Sequence, residues 1–327
     1  MKKTAKIAAM MLLGVALMTG CGDKDAGQNP ANTKDDSSVA ATMEDINETT
    51  SNDDVSDTTT ESEDDTTSVE EEDVEVVELD TSAKSRFEEG VLTFYEGNIV
   101  DSNAVNNAVQ EHGITKEEVT TLIVEEGILS IGWDAFFCWE TLTNVELPDS
   151  LIYIEERAFF GCLGLTSVKI PDNVTIIEKD AFFDCENLTS IELSDSLTSI
   201  GESAFGYSGL TSVELPDSVT EVGEMAFSCC ESLTSVKLPE DIDSIAYMAF
   251  SECRALTSIE IPDGVTSIGD AAFQSCKGLT SVKIPDSVTS FGFDAFAYCW
   301  DLTIYTPAGS YAETWAKEND ITVVNEE

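Results

Sequence analysis

Apolar and polar positions recur along the chain with a period of 23 residues. Of the seven intervals between successive copies of one leucine, six are 23 residues and one is 22. This leucine is found at Leu142, Leu165, Leu188, Leu210, Leu233, Leu256, Leu279 and Leu302. An Ala-Phe pair keeps the same step, from Phe136 to Phe296. A period in the twenties predicts a solenoid in which each coil buries its apolar side against the next coil.

One copy, residues 279–292, shows how a coil should fold. Val282 and Ile284 alternate with Lys283, which predicts a strand with one buried face and one wet face. Pro285 should end the strand because proline has no N–H to donate, and in one coil Ser194 replaces this proline. The glycines expected to supply the following turn are Gly132, Gly201, Gly223, Gly269 and Gly292. The next segment, Ala-Phe-x-x-Cys, is predicted to form one helical turn that packs Phe and Cys inward.

The spacing L-x-x-V-x-I-P-x-x-V-x-x-I-G-x-x-A-F-x-x-C-x-x-L, over residues 119–303, resembles the leucine-rich repeats of BspA-like bacterial surface proteins. The resemblance implies an α/β fold: a leucine-rich-repeat solenoid with a curved parallel β-sheet, about eight 23-residue coils and short helical turns. It also implies a surface protein that contacts host matrix proteins, host cells or other bacteria.

Shorter segments at each end are predicted to cap the array. In residues 84–118, the stretch 90–99 is predicted as strand and turn, and residues 104–109 as a short helix that stops at Gly113. Residues 304–327 resemble the segment that often closes such arrays. There Ser310 and Glu313 are expected to form a capping box, Asn319 to end the helix, and residues 321–324 to add a final strand.

Residues 1–20 have the layout of a signal peptide. Lys2, Lys3 and Lys6 precede an apolar run that is shorter than a membrane-spanning helix requires. Residues 17–21 resemble the lipobox of bacterial lipoproteins, which implies lipidation of Cys21 and anchoring to the bacterial cell membrane. Ordinary cleavage near Gly20 is the alternative.

Residues 21–83 are predicted to be a disordered acidic tether. Residues 22–83 hold 21 acidic residues against two lysines, with no aromatic residue. Such a segment repels itself and cannot bury a core. The tether would hold the folded part away from the membrane and expose it at the cell surface.

The net charge excludes nucleic acids and direct electrostatic binding to a membrane surface. The chain has 16 Lys and Arg against 64 Asp and Glu, which gives a formal charge of −48. A phosphate backbone would be repelled, so no nucleic acid is expected as a partner. A membrane is expected to be contacted only through the N-terminal lipid.

Nine cysteines in an exported chain require a choice between thiols and disulfides. Six of them lie three residues after the repeated phenylalanine, at Cys162, Cys185, Cys230, Cys253, Cys276 and Cys299. We favour free buried thiols, because a regular column demands no pairing, and bonds between neighbouring coils are the alternative. Cysteines in one stripe cannot surround a zinc ion, so no metal is expected.

One exposed column on the strands is a candidate binding face. It consists of Glu146, Lys169, Glu192, Glu214, Lys237, Glu260 and Lys283. Neighbouring strands about 4.8 Å apart would let opposite charges form an ion-pair ladder. Glu192 beside Glu214 breaks the alternation at the 22-residue interval, which predicts a local kink, with a tolerated deletion as the alternative. Further expected anchors on the turns are Trp133, Tyr153, Tyr247 and Phe293.

These features predict a binding protein and not an enzyme. His112 is the only histidine, no glycine-rich phosphate loop is present, and no cofactor is expected. The predicted function is that of a lipid-anchored surface protein that binds proteins through the solenoid surface. The resemblance to BspA-like proteins implies adhesion to host matrix, host cells or other bacteria. One alternative is an envelope-structural protein that self-associates, and another is a glycan-binding surface protein.

Overall fold

Two parallel β-sheets run along a solenoid in the computed structural model, which describes residues 83–326. In chain order the elements are β1 (Lys84–Glu88), β2 (Val91–Tyr95), β3 (Ile99–Val100), α1 (Ser102–His112), a short 3₁₀ helix (Lys116–Glu118), β4 (Thr121–Val124), β5 (Ser130–Ile131), β6 (Asn144–Glu146), β7 (Tyr153–Ile154), β8 (Ser167–Lys169), β9 (Ile176–Ile177), β10 (Ser190–Glu192), β11 (Ser199–Ile200), β12 (Ser212–Glu214), β13 (Glu221–Val222), β14 (Ser235–Lys237), β15 (Ser244–Ile245), β16 (Ser258–Glu260), β17 (Ser267–Ile268), β18 (Ser281–Lys283), β19 (Ser290–Phe291), β20 (Thr303–Pro307), α2 (Tyr311–Glu318) and β21 (Thr322–Glu326). The even-numbered strands and β21 form one side, here called the strand face, and the odd-numbered strands β3–β19 form the second side. The predicted parallel solenoid is confirmed.

The predicted signal peptide, the lipidation site at Cys21 and the tether through residue 82 lie outside the described residues.

The N-terminal segment contributes a coil of its own. Strand β2 runs antiparallel to β1 and parallel to β4, so that Leu92 lies beside Leu122 in the core. Helix α1 begins at Asp101, whose carboxylate accepts the Ala104 N–H, and ends at Gly113 in the left-handed conformation. The predicted helix is therefore present and longer at both ends. The solenoid has about nine coils, one more than the leucine period alone indicated.

The Ala-Phe segments form the third side, here called the turn face, and they differ from the predicted helical turn. Residues two before and two after each phenylalanine are left-handed, as Asp180 (φ 54°) and Asp184 (φ 59°) are around Phe182. These residues interrupt any continuous helix and turn alternate N–H groups toward the next coil. The Phe159 N–H, for example, donates to the Ala181 carbonyl at 2.9 Å. The turn face is thus a third hydrogen-bonded ladder between coils.

The repeated phenylalanines form a continuous stack in the core. Successive rings from Phe136 to Phe296 lie 5.1 to 5.6 Å apart between centroids and are nearly parallel. All eight side chains are buried. Because each ring contacts the ring before and after it, the stack sets the same spacing for every coil.

The 22-residue interval is accommodated without a break in this stack. This coil has one residue, Gly209, where the preceding coil has two, Glu186 and Asn187. A Cβ at Gly209 would lie 2.2 Å from the Glu186 carbonyl oxygen. Ser194, which replaces the strand-ending proline, is buried, donates to the Asp172 carbonyl and accepts the Ser196 N–H. The strand ladder is interrupted between β10 and β12, but also between β6 and β8 and between β14 and β16. The interruption is therefore not specific to the short interval.

The column of glycines before the turn face has a different role from the one predicted. Gly201, Gly223 and Gly292 do not have positive φ angles. A Cβ at these positions would lie 2.6, 2.7 and 2.2 Å from backbone nitrogens of the preceding coil. At these three positions glycine is favoured by the close approach of two backbones, not by a turn conformation, whereas Glu155, Glu178 and Ala246 carry a Cβ at the same position in other coils.

The C-terminal cap forms largely as predicted. The Ser310 hydroxyl accepts the Glu313 N–H at 3.1 Å, but the Glu313 carboxylate accepts from Gly309 instead of Ser310. Helix α2 ends at Asn319, and β21 then pairs with β20 in parallel. The Trp315 ring stacks on Phe291 at 4.1 Å and so covers one end of the core.

We predict that Gly223→Ala destabilises the fold by about 1–3 kcal/mol, because its Cβ would overlap the backbone of the preceding coil. Ala246 holds the equivalent position one coil later and provides the matched control. Ala246→Gly should cost at most about 1 kcal/mol, the conformational cost of a glycine. Urea unfolding followed by circular dichroism measures both, and equal effects of the two changes would contradict this role for Gly223.

Candidate functional site

The predicted charge column lies on the strand face and forms ion pairs two coils at a time. The pairs are Lys169–Glu192 at 3.4 Å, Glu214–Lys237 at 2.7 Å and Glu260–Lys283 at 2.5 Å. Each pair falls within one hydrogen-bonded strand pair, namely β8–β10, β12–β14 and β16–β18. Glu146 accepts a long hydrogen bond from the Asn144 amide instead. The predicted ion pairing is confirmed, whereas binding by this column stays a prediction.

Threonine hydroxyls beside this column donate hydrogen bonds to backbone carbonyls on the strand face. The Thr234 hydroxyl, for example, donates to the Thr211 carbonyl of the coil before it at 2.8 Å. The face therefore presents Ser, Thr, Glu and Lys whose polar groups largely pair with one another. Ser, Glu and Lys are depleted at the centres of protein interfaces.

A second row of aromatic side chains lies on the turn face, directly after the core phenylalanine in three coils and two residues after it, at Tyr207, in the fourth. Phe137, Phe160 and Phe183 stack at 4.9 and 5.1 Å, and Tyr207 lies 5.3 Å from Phe183 in a tilted arrangement. All four are partly exposed. The position directly after the core phenylalanine holds Gly206 in the fourth coil and Ser228, Ser251, Gln274 and Ala297 in the later coils. Sequence reasoning followed only the first phenylalanine of each pair, although the Phe-Phe doublets were the signal for this row.

Arg157 joins this row to Trp133. Its guanidinium carbon lies 4.8 Å from the centre of the Phe137 ring, 5.6 Å from Trp133 and 5.7 Å from Phe160. Its Nε lies 3.1 Å from Asp134 Oδ1, as an ion pair without hydrogen-bond geometry. We call Trp133, Phe137, Arg157, Phe160, Phe183 and Tyr207 the turn-face cluster. Trp, Tyr and Arg are the residue types that most often dominate binding energy at protein interfaces.

A cleft adjoins the N-terminal end of this cluster. It has a volume of about 420 Å³ between α1 and the first turn-face segment, with Val105, Val109, Phe137 and Trp139 among its lining residues. Asp134 also lines it, and burial raises the pKa of this carboxyl although Arg157 opposes the shift. The cluster therefore ends in a recess, lined equally by apolar and polar residues, that could receive a partner side chain.

Two further carboxyl groups on the turn face are partly buried. Burial raises the pKa of Asp180 to about 6, with Lys179 opposing and Glu202 adding to the shift. Burial also raises the pKa of Asp184 to about 6, and Glu186 and Glu140 act in the same direction. These two positions lose negative charge as the pH falls through about 6.

The predicted exposed aromatic anchors are mostly exposed. Trp133, Tyr153 and Phe293 are 52, 56 and 64% exposed, respectively. Tyr247 is only partly exposed. The predicted anchors therefore lie at separate places along the solenoid, and of these only Trp133 belongs to the turn-face cluster.

The cysteine column consists of buried free thiols that hydrogen-bond the backbone. The Sγ of Cys253 donates to the Phe227 carbonyl of the preceding coil at 3.1 Å. The same contact, at 3.1 to 3.3 Å, is made by Cys162, Cys185, Cys230, Cys276 and Cys299. Burial raises the pKa of Cys162, Cys230 and Cys299 to about 12. Sequence reasoning favoured free thiols but did not foresee that each links two coils as a hydrogen-bond donor.

The remaining candidate chemistry is not assembled into a site. His112 ends α1, where its Nε2 lies 3.0 Å from the Ser85 hydroxyl. Between residues 83 and 326, no group of three or more His, Cys, Asp or Glu side chains could hold a metal ion. In the same range, no helix has the length and hydropathy needed to cross a bilayer.

These coils define a leucine-rich-repeat protein. More narrowly, the BspA type leucine rich repeat region matches residues 110–231 and 198–311, and the chain belongs to this family. Proteins of this type are typically associated with bacterial surfaces, and their repeats are protein-interaction modules in general.

Several solved structures are similar to this chain. A leucine-rich cell surface protein from Faecalibacterium prausnitzii is 31% identical, with 64% of each chain covered and a TM-score of 0.42. A leucine-rich repeat protein from Bacteroides ovatus is 26% identical, with 74% of this chain and 65% of that chain covered and a TM-score of 0.49. The T. pallidum leucine-rich repeat protein is 23% identical, with coverages of 74% and 95% and a TM-score of 0.48. The chain thus spans slightly less than two thirds of the first two proteins, and no curated protein matches significantly.

We predict that the six thiols of the cysteine column resist alkylation in the folded protein. Their burial and raised pKa keep them protonated and inaccessible at about pH 8. Iodoacetamide labelling of the full chain, followed by peptide mapping, should modify them only after unfolding in urea. Rapid labelling of these six thiols in the native protein, or bonded pairs among the six under non-reducing conditions, would contradict this prediction.

We predict that Asp184→Asn raises the melting temperature by roughly 1–3 °C at about pH 7.5 and has a smaller effect at about pH 4.5. The folded-state pKa of Asp184 lies above the ordinary value, so its ionisation removes stability as the pH rises through the window from about 4 to 6. Melting curves at both pH values test this, with the exposed Asp217→Asn as the control. A benefit from Asp184→Asn that does not depend on pH would show that burial of the charge is not its cause.

Proposed function

We propose that the protein is a lipid-anchored bacterial surface protein that adheres to host matrix proteins, host cells or other bacteria, and that the turn-face cluster is its main contact surface. Family membership supports surface association and protein binding. The signal sequence, Cys21 and the acidic tether support anchoring and display. We also propose that it has no catalytic role, because repeated coils spread identical groups along a line instead of converging them.

The single observation that carries this assignment is Arg157 held among Trp133, Phe137 and Phe160. A guanidinium that already packs on aromatic rings has lost part of its conformational freedom before a partner binds. Binding therefore costs less conformational entropy. Trp133 is 52% exposed beside it and offers a large apolar area. The adjoining cleft gives a partner side chain a place to be buried.

The strand face supports this role less well. Three of its four glutamates are paired with its three lysines, so a partner that used those charges would have to break existing ion pairs. The column is also highly exposed, and exposed charge pairs contribute little to affinity.

Glycan capture is less favoured by the same geometry. A sugar platform uses the flat face of an aromatic ring, but Phe137, Phe160 and Phe183 stack on one another and present mainly their edges. Self-association as an envelope protein would require copies to overcome repulsion between chains of formal charge −48.

The full chain should be measured for saturable binding to immobilised matrix proteins, mucins and bacterial surface extracts at physiological ionic strength. We predict that Trp133→Glu combined with Arg157→Ser weakens binding roughly tenfold or more, the loss typical of a hot-spot pair. The substituted residue types occur at the same positions in other coils, at Glu156 and Ser203, so the fold should be retained.

Two further variants complete this experiment. Tyr153→Ser removes another exposed aromatic ring and should leave binding unchanged, since serine holds the same position in later coils. Charge reversal of Lys169, Lys237 and Lys283 to Glu should also have little effect. Loss of binding on charge reversal would place the site on the strand face, loss on enzymatic deglycosylation of the mucins would favour a glycan ligand, and self-association without any ligand would favour the envelope-structural function.

A further inference from the structure

The first turn-face segment, residues 133–139, has no turn-face segment before it. In later coils, alternate turn-face carbonyls accept an N–H from the preceding coil, as the Ala158 carbonyl accepts from Phe136 at 2.9 Å. The equivalent carbonyls of the first segment include those of Ala135 and Phe137. In the part of the chain that the structure describes, neither of these two carbonyls accepts a hydrogen bond.

Both of these residues line the cleft beside α1. Its volume of about 420 Å³ lies at the small end of the range of roughly 300–1,000 Å³ for ligand sites, so it suits one long side chain better than a helix or a strand. Val105 and Val109 of α1, together with Phe137 and Trp139, give it apolar walls. A fitting occupant therefore combines an apolar stem with a polar end that donates hydrogen bonds.

Asp134 adds a carboxylate to the lining of the same cleft. Its side chain is 19% exposed, and its buried Oδ1 accepts no hydrogen bond from any described residue. The Nε of Arg157 lies 3.1 Å from this oxygen without hydrogen-bond geometry. The carboxylate has therefore lost water without gaining a donor in exchange, a loss that a donor in the cleft would repair.

The charged residues of the lining favour a cation over an anion. Lys116 lines the cleft together with Glu117 and Asp134, one positive side chain against two negative ones. The Lys116 ammonium already donates to the Cys138 carbonyl at 2.8 Å. An anionic occupant would face two carboxylates and two backbone carbonyls, whereas a cationic donor would satisfy acceptors of both kinds.

We propose that this cleft receives an arginine side chain of the partner protein. The proposal rests on the proposed function, because it names the side chain through which a protein partner would enter the site. The guanidinium would donate to the Asp134 carboxylate and to the Ala135 and Phe137 carbonyls, while its stem would pack on Val105 and Val109. Arginine suits these acceptors better than lysine, since its five N–H groups form a planar fork and are more weakly hydrated.

The probe is the acetylated and amidated peptide Gly-Ser-Arg-Ser-Gly. Two matched peptides carry lysine or citrulline in place of arginine, and citrulline keeps the shape of the side chain without its charge. In NMR titrations of the full chain, we expect the arginine peptide to bind roughly tenfold more tightly than the citrulline peptide and severalfold more tightly than the lysine peptide. The amide signals that shift should be those of residues 105–109 and 134–139.

A matched pair of variants tests the cleft by filling it. Asn106 is an exposed residue of α1 that lines the cleft, so Asn106→Trp should obstruct it and weaken binding of the arginine peptide roughly tenfold or more. Asn107 is also exposed on α1 but does not line the cleft, so Asn107→Trp should leave the affinity unchanged.

A second pair of variants tests the carboxylate. Asp134→Asn should weaken binding of the arginine peptide roughly tenfold and change that of the citrulline peptide little, because only the charged donor loses an ionised acceptor. Asparagine tolerates the left-handed conformation of this residue, which has a φ of 54°. The exposed Asp217→Asn removes the same charge elsewhere and should have no effect.

Four results would overturn the proposal. They are equal affinity for the arginine and citrulline peptides, equal affinity for the arginine and lysine peptides, unchanged affinity of Asn106→Trp, and signal shifts confined to residues outside the cleft. Undiminished binding of Asn106→Trp to a surface component that the wild type binds would also overturn it, and would leave the proposed function intact. Binding of the arginine peptide in the cleft, without binding of the full chain to any surface component, would overturn the proposed function and support the arginine site.

Discussion

The spacing between stacked phenylalanine rings is the constraint on which the rest of this solenoid depends. Eight buried rings stack at 5.1 to 5.6 Å, so every coil must advance along the axis by nearly the same amount. At that spacing the backbones of neighbouring coils approach so closely that Gly223 has no room for a Cβ. The same spacing brings each column thiol, such as Cys253, within 3.1 to 3.3 Å of a carbonyl in the preceding coil. The ring spacing and the thiol contacts are therefore two consequences of one distance, whereas the lack of room at Gly223 is local, since Ala246 carries a Cβ at the same position one coil later.

Features that depend on the residues of one coil could be predicted from the sequence. Features that depend on contacts between two coils could not. The strands of the strand face and the parallel solenoid depend on the pattern within a coil, the C-terminal cap depends on its own local motif, and all three were predicted correctly, whereas the odd-numbered strands β5–β19 were not predicted as strands. The glycine column was attributed to turns because close approach of two backbones leaves no trace within a single copy. Asp180 and Asp184, the left-handed residues on either side of Phe182, were missed for a related reason. Their conformation directs N–H groups toward another coil.

The candidate binding surfaces occur where the repeats differ from one another. Columns that are nearly identical, such as the charges of the strand face, satisfy one another by pairing between neighbours. A distinct surface requires residues that only some coils possess, as Phe137, Phe160 and Arg157 are. The sequence does contain this signal as Phe-Phe doublets, but a consensus of the repeats averages it away. Recognition by such a fold is therefore better sought in departures from the repeat than in the repeat itself.

The direction of the turn-face hydrogen bonds makes the two ends of the solenoid chemically different. Alternate backbone N–H groups of each turn-face segment donate toward the C-terminus, so the first turn-face segment has carbonyls at its outer edge and the last has N–H groups. Helix α1 lies beside the first segment, across the cleft lined by Ala135 and Phe137, so the carbonyl edge is partly covered. Among the described residues, the C-terminal cap reaches this end through Trp315, which stacks on Phe291 and lies 6.0 Å from the Phe296 ring. Within residues 83–326 the N–H groups of Asp294, Phe296 and Tyr298 have no acceptor, so a cap at this end must supply acceptors where a cap at the other end must supply donors.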